Sequence, residues 1–161
     1  MYKIMLADDE GIVIDSLKFI IEKEFKDICE VQYAKTGRSV IELAESFRPD
    51  IAVMDIQMPG INGIDAMKEK GTVWVPTLVT TGNLLGCGRY PQEELEKIFD
   101  SARANVSCAW EKGVLLAAGS DAGAYRVLHG QGLVDEYQIF CDLFGETEEL
   151  KNRLKEGESV I

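Results

Sequence analysis

The chain is poor in histidine: its 161 residues include one, His129. A catalytic zinc site usually needs three protein ligands with nitrogen or sulfur among them, which one histidine does not supply. The four cysteines show neither CxxC spacing nor a compact disulfide framework. The sequence therefore predicts no zinc site, and its scattered thiols are typical of reduced cysteines in a cytoplasmic protein.

Long apolar runs and an excess of positive charge are also lacking. No apolar stretch approaches the roughly 20 residues that a membrane helix needs, and residues 1–9 reach acidic side chains too early for a signal peptide. The formal net charge is -11, which repels the phosphates of nucleic acids and anionic membrane surfaces. We therefore expect neither a nucleic acid nor a membrane as a partner.

The chain does contain a regular alternation of apolar runs and segments with helical periodicity. The runs typical of buried strands are residues 3–7, 29–34, 50–54, 73–80 and 114–118. Such alternation implies a parallel sheet covered by helices on both faces. The sequence predicts one α/β domain over residues 1–161, a flavodoxin-like three-layer αβα sandwich whose five-stranded parallel sheet has the order 2-1-3-4-5.

Three carboxylates follow two strands that this order makes neighbours. Asp8 and Asp9 follow strand one, and Asp55 follows strand three. Because the carboxyl ends of parallel strands share one edge, we expect these side chains to converge there. Packed like charges are costly unless a cation neutralises them, and oxygen ligands favour Mg²⁺. A carboxylate beside Mg²⁺ can attack a phosphoryl group; the alternative is that these acids only cap loops and helices.

The residues around these acids carry a family resemblance. KIMLADDE at residues 3–10 and PDIAVMDIQMPGING at residues 49–63 resemble, in motif and in spacing, the receiver domain of response regulators. The resemblance covers about residues 1–70. It implies a flavodoxin-like fold, bound Mg²⁺ and a histidine kinase as partner.

The resemblance also implies roles for individual residues. Asp55 would be the phosphoacceptor, and Thr80, at the end of strand four, would contact the phosphoryl oxygens. Mg²⁺ would be held by Asp9, Asp55 and the backbone carbonyl of Gln57, with Asp8 acting mainly through water. These assignments depend on the family pattern and not on spacing alone.

One part of the receiver pattern is missing. The family carries a lysine at the end of strand five, whereas residues 114–121 contain no lysine and end in Asp121. Loss of that ammonium removes charge stabilisation of the phosphoryl group during its transfer. We therefore expect slow or absent phosphorylation, and a histidine kinase as partner only where the receiver chemistry survives.

The second half has a different resemblance. VPTLVTTG at residues 75–82 and residues 109–130 resemble the last part of a metal-dependent amidohydrolase, a (β/α)₈ barrel, over about residues 68–145. By that resemblance Asp121 would be a vestigial metal ligand. The histidine ligands of that family are missing, so we expect no hydrolase activity.

The two resemblances together suggest an engineered chimera with a junction near residues 68–72. Its halves would be a receiver-like part, residues 1–70, and a hydrolase-like part, residues 71–161. The chimera would be a scaffold and not an enzyme, keeping the acidic Mg²⁺ pocket without a complete active site. The alternatives are a working phosphorelay receiver and an amidohydrolase fragment. The chimera requires residues 73–121 to add strands beside strand three.

Overall fold

The chain folds into two compact units. The computed structural model describes residues 1–161 and divides them into Met1–Lys70, which we call unit 1, and Gly71–Ile161, which we call unit 2. The boundary lies within residues 68–72, where the sequence analysis expects a junction. That both units form one domain stays a prediction. None of the helices combines the length and the apolarity that a membrane crossing requires.

Unit 1 alternates three strands with three helices, as its hydrophobic pattern predicts. The strands form a parallel sheet in the order β2-β1-β3. The elements are β1 (Tyr2–Ala7), α1 (Gly11–Phe25), β2 (Cys29–Ala34), α2 (Gly37–Phe47), β3 (Ile51–Met54) and α3 (Gly63–Lys70).

The central strand of unit 1 is its most buried element. Since β1 has a hydrogen-bonded neighbour on each side, Met5, Leu6 and Ala7 are almost completely buried. The register pairs Ala7 with Ala34 of β2 and with Met54 of β3. Burying a large aliphatic side chain contributes about 1.5–3 kcal/mol. The apolar core therefore fixes β1, and with it the residues that follow β1 at the edge of the sheet.

Local hydrogen bonds set the two ends of α2. The Thr36 hydroxyl accepts from the Ser39 amide at 3.2 Å, and the Ser39 hydroxyl accepts from the Thr36 amide at 3.1 Å. This reciprocal capping box satisfies two amides at the helix start that would otherwise lack partners. Arg48 ends the helix in a left-handed conformation, with φ 52°. Gly37 packs against the Ile61 carbonyl, where a side chain would not fit.

Unit 2 is mainly helical. Its elements are β4 (Val73–Trp74), α4 (Val79–Gly82), α5 (Gln92–Lys112), β5 (Leu115–Leu116), α6 (Gln131–Phe144) and α7 (Glu148–Glu158). Strands β4 and β5 pair in parallel and form a two-stranded sheet of their own.

The predicted five-stranded sheet of order 2-1-3-4-5 is therefore wrong. The structure has a three-stranded and a two-stranded sheet, and β3 pairs with β1 alone. The expected fourth strand stops early because Pro76 has no N–H for a ladder and Thr77 is left-handed, with φ 50°. The strands that the chimera requires beside strand three are accordingly absent.

Aromatic packing holds the helices of unit 2 together. The rings of Trp110 in α5 and Phe144 in α6 stack with centroids 4.3 Å apart, and Phe140 is fully buried beside them. The Arg153 guanidinium of α7 lies 3.4 Å from the Trp110 ring centroid and donates to the Trp110 carbonyl at 2.9 Å. Trp110 thus links all three long helices.

A buried carboxylate also organises unit 2. Glu136 of α6 is 0% exposed. Its two oxygens accept hydrogen bonds from the backbone amides of Leu78, at 3.0 Å, and Val79, at 2.7 Å. Burial raises the pKa of the Glu136 carboxyl, and the two amides oppose that rise. One side chain therefore fixes the start of α4.

Candidate functional site

The candidate site lies at the carboxyl edge of the sheet of unit 1. Because Ala7 and Met54 are register partners, Asp8 and Asp55 leave adjacent strands side by side. One carboxylate oxygen from each of Asp8, Asp9 and Asp55 lies within 4.8 Å of the others. Asp8 and Asp55 are half-buried and Asp9 is exposed. The structure thus brings together the three acids that the sequence expects to converge.

Backbone hydrogen bonds orient two of these acids. The Asp55 amide donates to the Ala7 carbonyl at 2.7 Å, and one Asp55 carboxylate oxygen accepts from the Ile56 amide at 2.8 Å. One Asp8 oxygen accepts from the Glu10 amide at 2.8 Å. Each carboxylate keeps a second oxygen outside these bonds. Both side chains are therefore held in place with an oxygen left to bind a cation.

The loop after Asp55 is held tightly against it. A side chain at Gly63, the first residue of α3, would lie 2.6 Å from the Asp55 carbonyl, and the Gly63 amide donates to the Ile56 carbonyl at 2.9 Å. Gly60 turns the loop with φ 84°, in the left-handed region that favours glycine. Gln57 is exposed in this loop, two residues beyond Asp55.

No ion pair neutralises the acids of this site. No lysine or arginine nitrogen forms an ion pair within 4.0 Å of the Asp8, Asp9 or Asp55 carboxylates. Like charges at this separation repel, and a divalent cation with oxygen ligands offsets the repulsion. Elsewhere in residues 1–161 no other group of three histidine, cysteine or acidic side chains is gathered as closely.

The structure places the two remaining candidate residues in unit 2. Thr80 does not end a strand: it lies in α4, and its hydroxyl donates to the Thr77 carbonyl at 2.8 Å. Asp121 lies in a turn with φ 49°, and its backbone carbonyl accepts from the Ala124 amide at 3.1 Å. Their roles at phosphoryl oxygens and at a metal stay predictions.

Comparison with known proteins identifies the sequence around the acidic site. Residues 4–83 match the family model of the response regulator receiver domain. The match covers just under half of the chain. Over 73 residues the chain is 37% identical to the uncharacterized transcriptional regulatory protein YesN of Bacillus subtilis, covering 45% of this chain and 20% of that protein.

Another curated relative aligns beyond unit 1. Over 115 residues the chain is 35% identical to protein-glutamate methylesterase/protein-glutamine glutaminase 2 of Methanospirillum hungatei, covering 70% of this chain and 30% of that protein. The chain thus spans less than a third of either relative. The response regulator domain of Thermotoga maritima CheB superposes with a TM-score of 0.45 at 20% identity, covering 96% of this chain and 97% of that one. A TM-score this low supports no conclusion about the chain.

The family match confirms the receiver resemblance and the flavodoxin-like α/β fold that it implies. It also corrects the interpretation of the second half. The family match runs to residue 83 and so passes the junction expected at residues 68–72. The comparisons support neither an amidohydrolase barrel nor an engineered chimera. The alternative prediction, a phosphorelay receiver, agrees better with them.

Sequence analysis missed Glu136. A usable signal is its position on α6: it lies four residues before Phe140, so both project from one face of the helix. An acid on an apolar helix face needs a partner when buried. Finding that partner at Leu78 and Val79 requires the tertiary structure, because they are 58 and 57 residues away.

Proposed function

We propose that unit 1 is a phosphoryl-accepting receiver. Asp55 takes the phosphoryl group, while Asp9, Asp55 and the Gln57 backbone carbonyl hold Mg²⁺ and Asp8 contributes through water. The observation that carries the proposal is the convergence of three carboxylate oxygens within 4.8 Å at the edge of the parallel sheet. The sequence match over residues 4–83 supports it.

The reaction is a displacement at phosphorus. An Asp55 carboxylate oxygen forms a bond to the phosphorus atom, and the bond between phosphorus and the donor breaks with its electron pair leaving on the donor. The product is an acyl phosphate on Asp55. When bound, Mg²⁺ would neutralise charge on the phosphoryl oxygens and on the acids, which otherwise repel the incoming anion.

The proposed phosphodonor partner is a histidine kinase, whose phosphohistidine supplies the group. The names of the relatives describe transcriptional regulation and methylesterase activity, and the chain aligns with 30% or less of each. The proposed role is accordingly that of a phosphorylated control module and not of an enzyme acting on an external substrate.

The test is phosphorylation by acetyl phosphate, followed by intact mass, after Mg²⁺ binding has been measured by calorimetry. The wild-type chain should bind Mg²⁺ and gain one phosphoryl group, and Asp55→Asn should gain none. Asp27→Asn is the matched control because Asp27 is an exposed acid of unit 1 that lies between α1 and β2. It should be labelled like the wild type.

Two results would contradict the proposal. Magnesium binding without any mass gain would show that the acids assemble a cation site that does not transfer phosphoryl groups. Equal labelling of Asp55→Asn and wild type would place the phosphoryl group on another residue.

A further inference from the structure

A lysine of unit 1 lies at the same edge of the sheet as the acids. Lys35 directly follows Ala34, the last residue of β2, and Ala34 is the register partner of Ala7 in β1. Since β1 and β2 are parallel, Lys35 and Asp8 follow their strands at the same edge of the sheet. Asp8 follows β1, which lies between β2 and β3. The order β2-β1-β3 therefore places a lysine at the edge of the sheet that carries the acids.

The Lys35 side chain turns toward the acidic loop. Its Nζ atom lies 3.3 Å from the position that a Cβ atom would occupy at Gly11. Gly11 is the first residue of α1 and stands two residues after Asp9, a span of at most about 7 Å of chain. The ammonium thus lies against the loop that carries Asp8, Asp9 and Glu10, in space that the missing side chain of Gly11 leaves open.

The charge of Lys35 is not already used in an ion pair. No carboxylate lies within 4.0 Å of its Nζ atom. Other lysines of unit 1 are engaged: Lys3 donates to the Phe47 carbonyl at 3.0 Å, and Lys70 pairs with Glu45 at 2.6 Å. Lys35 is therefore a cation on a long flexible stem that an arriving anion can attract.

We propose that Lys35 supplies the positive charge for the phosphoryl oxygens at Asp55, in place of the missing lysine of strand five. This inference rests on the proposed function. Charge develops on the phosphoryl oxygens during transfer, and a nearby ammonium stabilises it. The same ammonium would repel a bound Mg²⁺, since like charges repel each other even across water.

These two effects have opposite signs and make the inference testable. Lys35→Ala should slow labelling by acetyl phosphate about tenfold, because part of the charge stabilisation is lost. The same variant should bind Mg²⁺ about two- to threefold more tightly, because a repulsive charge is removed. Lys35→Arg keeps the charge and should restore the wild-type Mg²⁺ affinity and most of the labelling rate.

Lys26→Ala is the matched control. Lys26 caps the C-terminal end of α1 and is exposed, so this change removes the same charge at the end of α1 opposite to Gly11. Its labelling rate and Mg²⁺ affinity should equal those of the wild type. The measurements are initial rates from intact mass and Mg²⁺ titration by calorimetry, on the full chain.

The outcomes separate the two proposals. A labelled wild type with equally fast Lys35→Ala would overturn the role of Lys35 and leave the receiver function standing. Slow labelling of Lys35→Ala with weakened Mg²⁺ binding would indicate a disturbed loop and would also overturn it. An unlabelled wild type would contradict the proposed receiver function and, with it, the role of Lys35.

Discussion

The two units stabilise their folds in different ways. Unit 1 is built on a parallel sheet whose central strand is buried between two neighbours, and its polar cluster is at the edge of that sheet. Unit 2 has strands of two residues each, and its polar centre, Glu136, is fully buried among helices. Unit 1 thus keeps its acids near water, whereas unit 2 uses an acid inside its core.

This difference shows what a carboxylate can do in each place. Asp8, Asp9 and Asp55 each keep access to solvent, so a cation and a phosphoryl donor can reach them. Glu136 has both oxygens bonded to backbone amides, so it is a structural partner for α4. The difference in burial distinguishes the three candidate site residues from Glu136, which stabilises the fold.

The largest expected effect is the loss of stability in one unit when a buried side chain of its core is truncated. Phe140→Ala should cost unit 2 about 3–5 kcal/mol, because it removes a fully buried ring and leaves a cavity. Hydrogen exchange read by mass spectrometry should show lost protection in residues 71–161 and little change in residues 1–70. Met5→Ala is the reciprocal variant and should affect unit 1.

The same experiment tests the single-domain prediction. Equal loss of protection in both units after either substitution would show that they unfold together as one domain and are not stabilised separately.

An intermediate effect is expected from the buried acid. Glu136→Gln should destabilise unit 2 by about 1–3 kcal/mol, because the amide has one accepting oxygen and leaves a buried backbone N–H of Leu78 or Val79 without a partner. Glu93→Gln, an exposed change in α5, is the control and should leave urea unfolding nearly unchanged. An equally stable Glu136→Gln would show that the two amides find other acceptors.

The pH dependence of unit 2 follows from the same residue. Burial raises the pKa of Glu136 above its ordinary value of 4.5, so the folded state holds this proton more strongly than the unfolded state. The contribution of Glu136 to stability is therefore complete below pH 4.5 and is lost as the pH rises through the raised value. The difference in stability between wild type and Glu136→Gln should change across that window.

The smallest expected losses of stability come from removing one helix cap in each unit. Thr36→Ala should cost about 1 kcal/mol because it breaks the capping box of α2. Thr147→Ala in α7 removes a single acceptor of the Leu150 amide and should cost less. Urea unfolding of each variant measures both, and a larger loss at Thr147 would contradict the importance of the reciprocal bond.

Much of unit 1 could be predicted because its signals are local. The strand at residues 29–34 is observed with the predicted bounds. Period-two and period-3.6 patterns arise from neighbouring residues, and Pro49 separates α2 from β3 in sequence. The acids could be expected to meet because parallel neighbouring strands end at one edge.

Unit 2 could not be predicted to the same degree because its signals are not local. Residues 73–80 have strand-like composition, yet Thr77 takes a left-handed φ and Val79–Gly82 forms a helix. Glu136 holds that helix from 57 residues further along the chain. No short window of sequence contains both partners of that contact.

The sequence by itself determined the receiver resemblance of about residues 1–70, the alternation of strands and helices in unit 1, and the three acids at its edge. The tertiary structure alone decided that the strands form two sheets, that Glu136 caps α4, and that Lys35 lies against the loop at Gly11. The physical reason is range: periodicity and turn residues act over a few positions, whereas strand pairing, burial of a charge and the approach of a side chain depend on residues far apart in the chain.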